Sequence, residues 1–406
     1  PFIDLHKPLP MKKIALFSIF LILGLILSQA LPGMMGDAAF AQTKSFLDSM
    51  LYVCLAFIMI NVGREFELDK SRWRSYTADY FIAMATAAAP WLLICFYYMV
   101  LLPSNYFTDW DAWKETLLLS RFAAPTSAGI LFTMLAAAGL KSSWVYQKTR
   151  VLAIFDDLDT ILLMIPLQIF MIGMRWQLGV VVFVVFLCLY IGWKYLKRYN
   201  LNQSWSSILG YSTILVFAFQ GLYVLSKQLF GVDAAIHIEV LLPAFILGMI
   251  MKPKHHHTKM DESVATIVSY LFMFLVGMSA PLFVGVDFAA MAGDCVIAQV
   301  GPMSWGEIAV HVAIATLLSN LGKMVPMLFY RDRSIGERLA LSIGMFTRGE
   351  VGAGIIFVSL GYGLGGPLLA ISLLTLLANL ILTGVFVIIV KQLVIKAEKK
   401  ATEVAA

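Results

Sequence analysis

The chain has 406 residues, of which 60% are hydrophobic and only 14% are charged. A soluble protein carries about 25% charged residues, so this composition rules out a soluble globular domain. The net charge of +5 does not indicate a nucleic-acid partner, because the basic residues gather in short loops between apolar stretches. Three of the four cysteines lie in apolar stretches, so no disulfide framework is expected.

The apolar residues form repeated stretches of about 20 residues, the length of a helix that crosses about 30 Å of hydrocarbon. This pattern predicts an all-α membrane protein with about 12 transmembrane helices and no soluble domain. The predicted helices span 12–32, 46–63, 79–102, 115–140, 148–173, 176–197, 205–230, 236–251, 261–285, 308–330, 334–360 and 368–395.

The lysines and arginines support this number of helices. With the N-terminus in the cytoplasm, 23 of these 30 residues fall on the cytoplasmic side and 4 fall outside. This asymmetry follows the positive-inside rule and places both termini in the cytoplasm. The three remaining basic residues, Arg121, Lys323 and Arg348, fall inside predicted helices.

The predicted fifth helix carries Asp156, Asp157 and Asp159 in an otherwise apolar sequence. Each aspartate costs about 2.5–3.5 kcal/mol near the bilayer centre, and such acids most often bind cations or protons in transit. Since two neighbouring buried carboxylates are not comfortably ionised together, one of them can exchange a proton for a cation. The pattern therefore predicts an antiporter site, and a structural polar cluster between helices is the alternative.

Helices one to five are predicted to repeat as helices eight to twelve. A shift of seven spans reverses the direction through the membrane, so the two repeats have inverted topology. The segment 58–63 (Ile-Met-Ile-Asn-Val-Gly) in the second helix resembles 272–277 (Phe-Met-Phe-Leu-Val-Gly) in the ninth.

The fourth and eleventh helices, which correspond in this repeat, both contain a predicted interruption. Pro125 breaks the fourth helix, and Thr126 and Ser127 can satisfy the freed backbone groups. The segment 344–354 of the eleventh helix is rich in glycine. Interrupted helices at matched positions of two halves indicate a substrate site near the membrane midplane in secondary transporters.

The other charges inside helices have candidate partners. Lys323 either pairs with Asp156 or extends its amine to the membrane surface. Arg348 and Glu350 lie at the second interruption, where they latch the broken helix or contact the ion directly.

Asp159 lies on the same helix face as Asp156, so it is either a third ligand or a partner of Arg121 or Arg348. Arg121, near the outer end of its predicted helix, is expected to be a structural or interfacial charge.

This pattern resembles the sodium/proton antiporters of the cation/proton antiporter superfamily, specifically the bacterial members with paired aspartates. The resemblance extends across nearly the whole chain. It rests on the residues Ala124-Pro125-Thr126-Ser127, Asp156-Asp157, Lys323 and Thr347-Arg348-Gly349-Glu350. Related proteins usually have an apolar residue where Asp159 stands, which leaves stoichiometry and ion choice open.

The resemblance implies that residues 1–406 form one membrane domain of two inverted repeats in which the two interrupted helices cross. A core bundle at about 79–173 and 308–395 would move against a scaffold at about 11–75 and 205–285, with 176–197 as a linker helix. The scaffold would form a homodimer in the plasma membrane, which is the inner membrane in bacteria.

The resemblance also implies exchange of Na⁺ or Li⁺ for H⁺, without a cofactor, by an elevator-like movement that carries two protons for each sodium. Asp157 would be the main site for Na⁺ and protons. Asp156 would also bind Na⁺ and would pair with Lys323 in its absence. Thr126 and Ser127 would supply oxygen atoms near the ion.

Three alternatives differ from this hypothesis. Exchange of K⁺ for H⁺ uses the same oxygen ligands. An ion channel would have a far larger conductance. An intramembrane aspartyl protease needs aspartates on two facing helices, whereas the three acids here share one helix.

Overall fold

The computed structural model describes residues 11–35, 37–65, 73–172, 176–230, 240–252, 258–279, 295–301 and 303–405. Within these residues the chain forms α-helices and short 3₁₀ turns, and it contains no β-strand. The helices are α1 (Met11–Met35), α2 (Asp37–Glu65), α3 (Trp73–Leu101), α4 (Trp110–Ser120), α5 (Ala128–Ala137), α6 (Trp144–Ile172), α7 (Trp176–Lys194), α8 (Trp205–Phe230), α9 (Leu241–Ile250), α10 (Lys259–Met278), α11 (Trp305–Gly322), α12 (Ile335–Gly344), α13 (Glu350–Gly361) and α14 (Pro367–Ala405).

These fourteen described helices correspond to the twelve predicted spans, because α4 with α5 and α12 with α13 each form one interrupted span. Seven described stretches are long and apolar enough to cross a membrane: Gln42–Arg64, Ser75–Leu101, Trp110–Ala137, Trp205–Leu229, Lys259–Met278, Trp305–Leu328 and Pro367–Lys399. Shorter apolar helices lie at Ala15–Leu31, Gly179–Lys194, Leu241–Ile250 and Val351–Leu360. The acid-bearing α6 completes the set.

Two helix boundaries differ from the prediction in ways that affect the site. α4 begins at Trp110, five residues before the predicted start, because Asp109 caps its first turn by accepting a hydrogen bond from the Asp111 amide. α11 ends at Gly322 rather than near 330, because Pro326 cannot continue an α-helix and a 3₁₀ turn follows at Val325–Leu328. Lys323 is therefore the C-cap of α11.

Glycines bring two pairs of helices into backbone contact. Gly24 of α1 lies against the Phe274 carbonyl of α10, and Gly277 of α10 lies against the Leu21 carbonyl of α1. A methyl group at either glycine would collide with the facing carbonyl oxygen. Small residues at a helix crossing allow this approach, which is a common way of packing helices in membranes.

The second pair repeats this geometry. Gly63 of α2 lies against the Phe245 carbonyl of α9, and Gly248 of α9 lies against the Ile60 carbonyl of α2. In the predicted repeat α1 corresponds to α9 and α2 to α10, so Gly63 and Gly277 are equivalent. The crossings of α1 with α10 and of α2 with α9 are thus related by the internal repeat, which supports the predicted correspondence.

The remaining helices of the two repeats also pack in equivalent ways. α3 packs on α6, and its counterpart α11 packs on α14. α3 and α11 contact each other, with Gly322 lying against the backbone of Pro90. This packing places the middle of α6 beside the C-terminal end of α11, where the charged residues meet.

Candidate ion-binding site

The two interrupted helices meet at their breaks. In the fourth span, α4 gives way to a 3₁₀ turn at Arg121–Ala123, and α5 starts at Ala128. In the eleventh span, α12 ends at Gly344 and α13 starts at Glu350. The Ser127 amide donates a hydrogen bond to the Thr347 carbonyl (3.0 Å), and the Thr126 hydroxyl donates to the Met345 carbonyl (3.1 Å).

These hydrogen bonds confirm the predicted crossing of two interrupted helices. Four helix ends come together there: the C-terminal ends of α4 and α12 and the N-terminal ends of α5 and α13. Free carbonyl groups at a C-terminal end carry partial negative charge, and free amide groups at an N-terminal end carry partial positive charge. The crossing can therefore stabilise charges of either sign away from water.

Asp156 and Lys323 form an ion pair at this crossing. The Lys323 ammonium lies 3.1 Å from Oδ1 and 3.0 Å from Oδ2 of Asp156, and both side chains are 0% exposed. The Thr126 amide donates a third hydrogen bond to Asp156 Oδ2 at 2.7 Å. As the C-cap of α11, Lys323 also lies near the partial negative charge of that helix end.

Asp157, the next residue on α6, is also buried. Its side chain is 6% exposed, and both carboxylate oxygens are shielded from solvent. Ser127 and Thr126, on the first break, are 1% and 0% exposed. Carboxylate, hydroxyl and carbonyl oxygens of these residues are hard ligands of the kind that could hold a monovalent cation.

Arg121 and Asp159 lie together beside the ion pair. The Arg121 Nη2 group donates a hydrogen bond to the Asp159 backbone carbonyl (3.0 Å), and its guanidinium lies 4.5 Å from the centre of the Trp91 ring. The Asp159 carboxylate, which is 1% exposed, faces the hydroxyl of Tyr80 on α3.

Arg121 is 0% exposed, so of the two predicted roles the interfacial one is wrong and the structural one agrees with its position. Because α4 begins at Trp110 and not near 115, Arg121 lies 11 residues into its span, about 16 Å along a helix. Of the two partners considered for Asp159, the described contacts favour Arg121.

Arg348 joins the second break to α11. Its guanidinium donates hydrogen bonds to the carbonyls of Met345 (3.0 Å) and Ser319 (3.4 Å), and the side chain is 1% exposed. The Met345 carbonyl lies at the interruption and the Ser319 carbonyl lies in the last turn of α11, so these bonds satisfy carbonyls at two helix ends. Glu350 begins α13, and its side chain lies outside the part of the structure that is described.

The sequence interpretation missed a second ion pair, in which the carboxylate is buried and the lysine is partly exposed. Asp79 on α3 is 2% exposed and pairs with Lys148 of α6 at 2.9 Å, whereas the charge pattern only counted Lys148 among the basic residues on the cytoplasmic side. One signal was present in the sequence: Asp79 is the first residue of the predicted third helix, where an acid without a partner would be costly if buried.

Comparison with known proteins agrees with this geometry. The family model "Sodium/hydrogen exchanger, transmembrane" matches residues 5–396. The solved structure of the sodium proton antiporter MjNhaP1 from Methanocaldococcus jannaschii matches with a TM-score of 0.57 at 14% sequence identity. That match covers 94% of this chain and 92% of the antiporter. No curated protein sequence matches significantly.

The fold of a sodium proton antiporter is thus present over nearly the whole chain. Members of the matched family are transporters and not enzymes, which removes the protease alternative. The two interrupted helices, the buried carboxylates and the family match lead to one conclusion: the chain belongs to the sodium/hydrogen exchanger family.

Proposed function

We propose that this protein exchanges Na⁺ or Li⁺ for H⁺ across the membrane, with Asp157 as the group for which cation and proton compete. The observation that carries the proposal is the fully buried Asp156–Lys323 pair at the crossing of the two breaks. A buried carboxylate whose counter-charge is a lysine can accept a metal cation in its place when the ammonium moves away or loses its proton.

The proposed cycle uses the Asp156–Lys323 pair together with Asp157, the next residue on α6. In the cation-free state Asp156 is neutralised by Lys323, and Asp157 holds a proton. Binding of Na⁺ removes the proton from Asp157 and separates Lys323 from Asp156, and the lysine then releases a proton. The Thr126 and Ser127 side chains supply further oxygen atoms for Na⁺.

This cycle moves two protons for each Na⁺, so it transfers one net charge. Each net charge is worth about 2.3 kcal/mol per 100 mV of membrane potential, so a potential negative inside drives sodium export. A cycle of one proton for each Na⁺ would gain nothing from the potential.

Alternating access in this proposal is an elevator-like movement of a core against a scaffold. The core contains α3–α6 and α11–α14, and the scaffold contains α1, α2 and α8–α10, with α7 as linker. The backbone contacts of α1 with α10 and of α2 with α9 suit a rigid scaffold. We further propose that the scaffold forms a homodimer in the plasma membrane and that both termini are cytoplasmic, as the basic loops indicate.

The test is proton flux in proteoliposomes that contain a pH-sensitive dye. Adding Na⁺ should drive proton movement in the wild type, and Asp157→Asn should abolish it. Asp111→Asn is a matched control, because the Asp111 side chain is 63% exposed and lies far from the crossing in the first turn of α4. Absence of Na⁺-dependent flux in the wild type at every pH from about 6 to about 9, the region around neutrality in which a tuned carboxylate exchanges protons, would overturn the proposal.

The same vesicles decide the ion and the charge balance. Comparison of Na⁺, Li⁺ and K⁺ separates sodium exchange from potassium exchange, because the oxygen ligands suit all three ions. Clamping the membrane potential with valinomycin and K⁺ should change the rate of Na⁺-driven flux. An unchanged rate would show electroneutral exchange.

A further inference from the structure

We infer that Asp79 is a positioning residue that holds α6 against the connection between α11 and α12 while the Asp156–Lys323 pair opens and closes. The inference rests on the proposed exchange at that pair. It concerns three residues from separate elements, Asp79 of α3, Lys148 of α6 and Tyr330 of the α11–α12 connection, which we call the Asp79 clamp.

The contacts of the Asp79 clamp are short, and they lie around a carboxylate that is almost fully shielded from solvent. The Lys148 ammonium lies 3.1 Å from Oδ1 and 2.9 Å from Oδ2 of Asp79. The Tyr330 hydroxyl donates a hydrogen bond of 2.7 Å to Asp79 Oδ1. Asp79 is 2% exposed, so its carboxylate depends on these two partners for the solvation that water would otherwise provide.

Aromatic contacts hold Tyr330 in place. The Lys148 ammonium lies 5.0 Å from the centre of the Tyr330 ring, and the Trp144 ring meets that ring edge-on at 5.7 Å. Burial, followed by the negative charge of Asp79, raises the pKa of Tyr330 far above its usual value. The hydroxyl therefore stays protonated and remains a hydrogen-bond donor at any physiological pH.

The Asp79 clamp lies on the same two segments as the ion pair of the site. Lys148 precedes Asp156 by eight residues on α6, about 12 Å along the helix. Tyr330 follows Lys323 by seven residues. The segment after Lys323 is therefore fastened to α6 at two levels, directly by Asp156–Lys323 and indirectly through Asp79.

The Asp156–Lys323 pair and the Asp79 clamp behave differently in the proposed cycle. The Asp156–Lys323 pair opens each time a cation binds, whereas the Asp79 clamp keeps its contacts throughout the proposed cycle. With the clamp closed, Lys323 stays near Asp156 at a high effective concentration and competes with the cation. The clamp thus sets how strongly Lys323 competes with the cation for Asp156. It also sets how readily Lys323 pairs with Asp156 again and displaces the cation.

The first experiment measures Na⁺-driven proton flux of Asp79→Asn against Na⁺ concentration. We expect the half-saturating Na⁺ concentration to fall about threefold or more, the scale of coupling between interacting buried groups, and the maximum rate to fall as well. A merely structural role would lower the maximum rate at an unchanged half-saturating concentration, and that result would overturn the inference.

A second experiment uses Na⁺-dependent thermal stabilisation of the purified protein, which needs no transport. When Lys323 is present, Asp79→Asn should lower the Na⁺ concentration that is needed to raise the unfolding temperature. In a chain that carries Lys323→Gln, the same change should have no further effect, because the competitor is gone. An equal shift with and without Lys323 would overturn the inference.

Two further variants keep the test decisive. Tyr330→Phe removes one hydrogen bond while keeping the ring, so it should produce a smaller shift in the same direction even if Asp79→Asn does not fold. Asp111→Asn is the control, because its side chain is 63% exposed and lies in the first turn of α4. A wild type without Na⁺-dependent flux would overturn the proposed function and with it this inference, whereas an unchanged half-saturating concentration in an active protein overturns the inference alone.

Discussion

At the scale of single residues, the site is a group of buried charges that balance one another. Asp156, Asp159, Arg121, Lys323 and Arg348 are each at most 1% exposed. Charges in a low-dielectric interior are tolerated when opposite charges and hydrogen bonds compensate them. Removing one member therefore has a larger cost than the net contribution of the pair to stability.

We expect Asp156→Asn to destabilise the protein, because it leaves the Lys323 ammonium buried without its carboxylate. Breaking a buried pair in this way costs about 3–5 kcal/mol. The double variant Asp156→Asn/Lys323→Met should recover much of the loss, since both charges are gone. Thermal unfolding in detergent measures both effects, and equal stability of the single variant and the wild type would contradict the expectation.

At the scale of helices, glycine allows two helix backbones to touch, and proline interrupts a helix because it has no backbone amide hydrogen. Gly277 lies where the α1 and α10 backbones touch. In the fourth span, Pro125 has no amide hydrogen to donate in a helix. The amide of its neighbour Ser127 donates instead to the Thr347 carbonyl of the second break. The crossing of two breaks is stable because each supplies hydrogen-bond partners that the other lacks.

Gly277→Ala should destabilise the protein, because the new methyl group would collide with the Leu21 carbonyl of α1. Gly210→Ala in α8 is the matched control, since nothing lies within 4 Å of the added methyl group. In a helix interior this control should stabilise by up to about 1 kcal/mol. Thermal unfolding compares the two variants, and equal behaviour would show that the α1–α10 contact does not limit stability.

At the scale of the whole molecule, the question is whether one group of helices moves past the other. Ser18 of α1 faces Gly384 of α14, and a Cβ atom at position 384 would lie 3.5 Å from that of Ser18. Gly336 of α12 faces Ala397 of α14, also with a Cβ separation of 3.5 Å. Both distances suit a disulfide bond.

The elevator proposal predicts opposite results for these two cross-links. Ser18→Cys/Gly384→Cys joins the proposed scaffold to the proposed core, so oxidation should stop Na⁺-driven flux and reduction should restore it. Gly336→Cys/Ala397→Cys lies within the core and should leave the flux unchanged. The four native cysteines are replaced by alanine in both. Full activity of the oxidised Ser18/Gly384 pair would rule out sliding at this contact.

The number, order and approximate bounds of the helices could be predicted from the amino-acid sequence. Inside a bilayer the backbone forms helices to satisfy its hydrogen bonds, and side chains that face lipid are apolar, so hydropathy indicates most of the spans. The interruptions at Pro125 and at 344–354 were also readable, because proline and glycine weaken a helix wherever they stand.

The depth and the partners of the charges could not be predicted in the same way. Hydropathy does not record how a helix is rotated or which distant helix faces it, so the burial of Arg121 and the meeting of Asp79, Lys148 and Tyr330 appear only once the helices are packed. Lys148 and Tyr330, which lie 69 and 251 positions after Asp79 in the chain, both contact its carboxylate. Such contacts arise from packing across the whole bundle, for which no short stretch of sequence carries a signal.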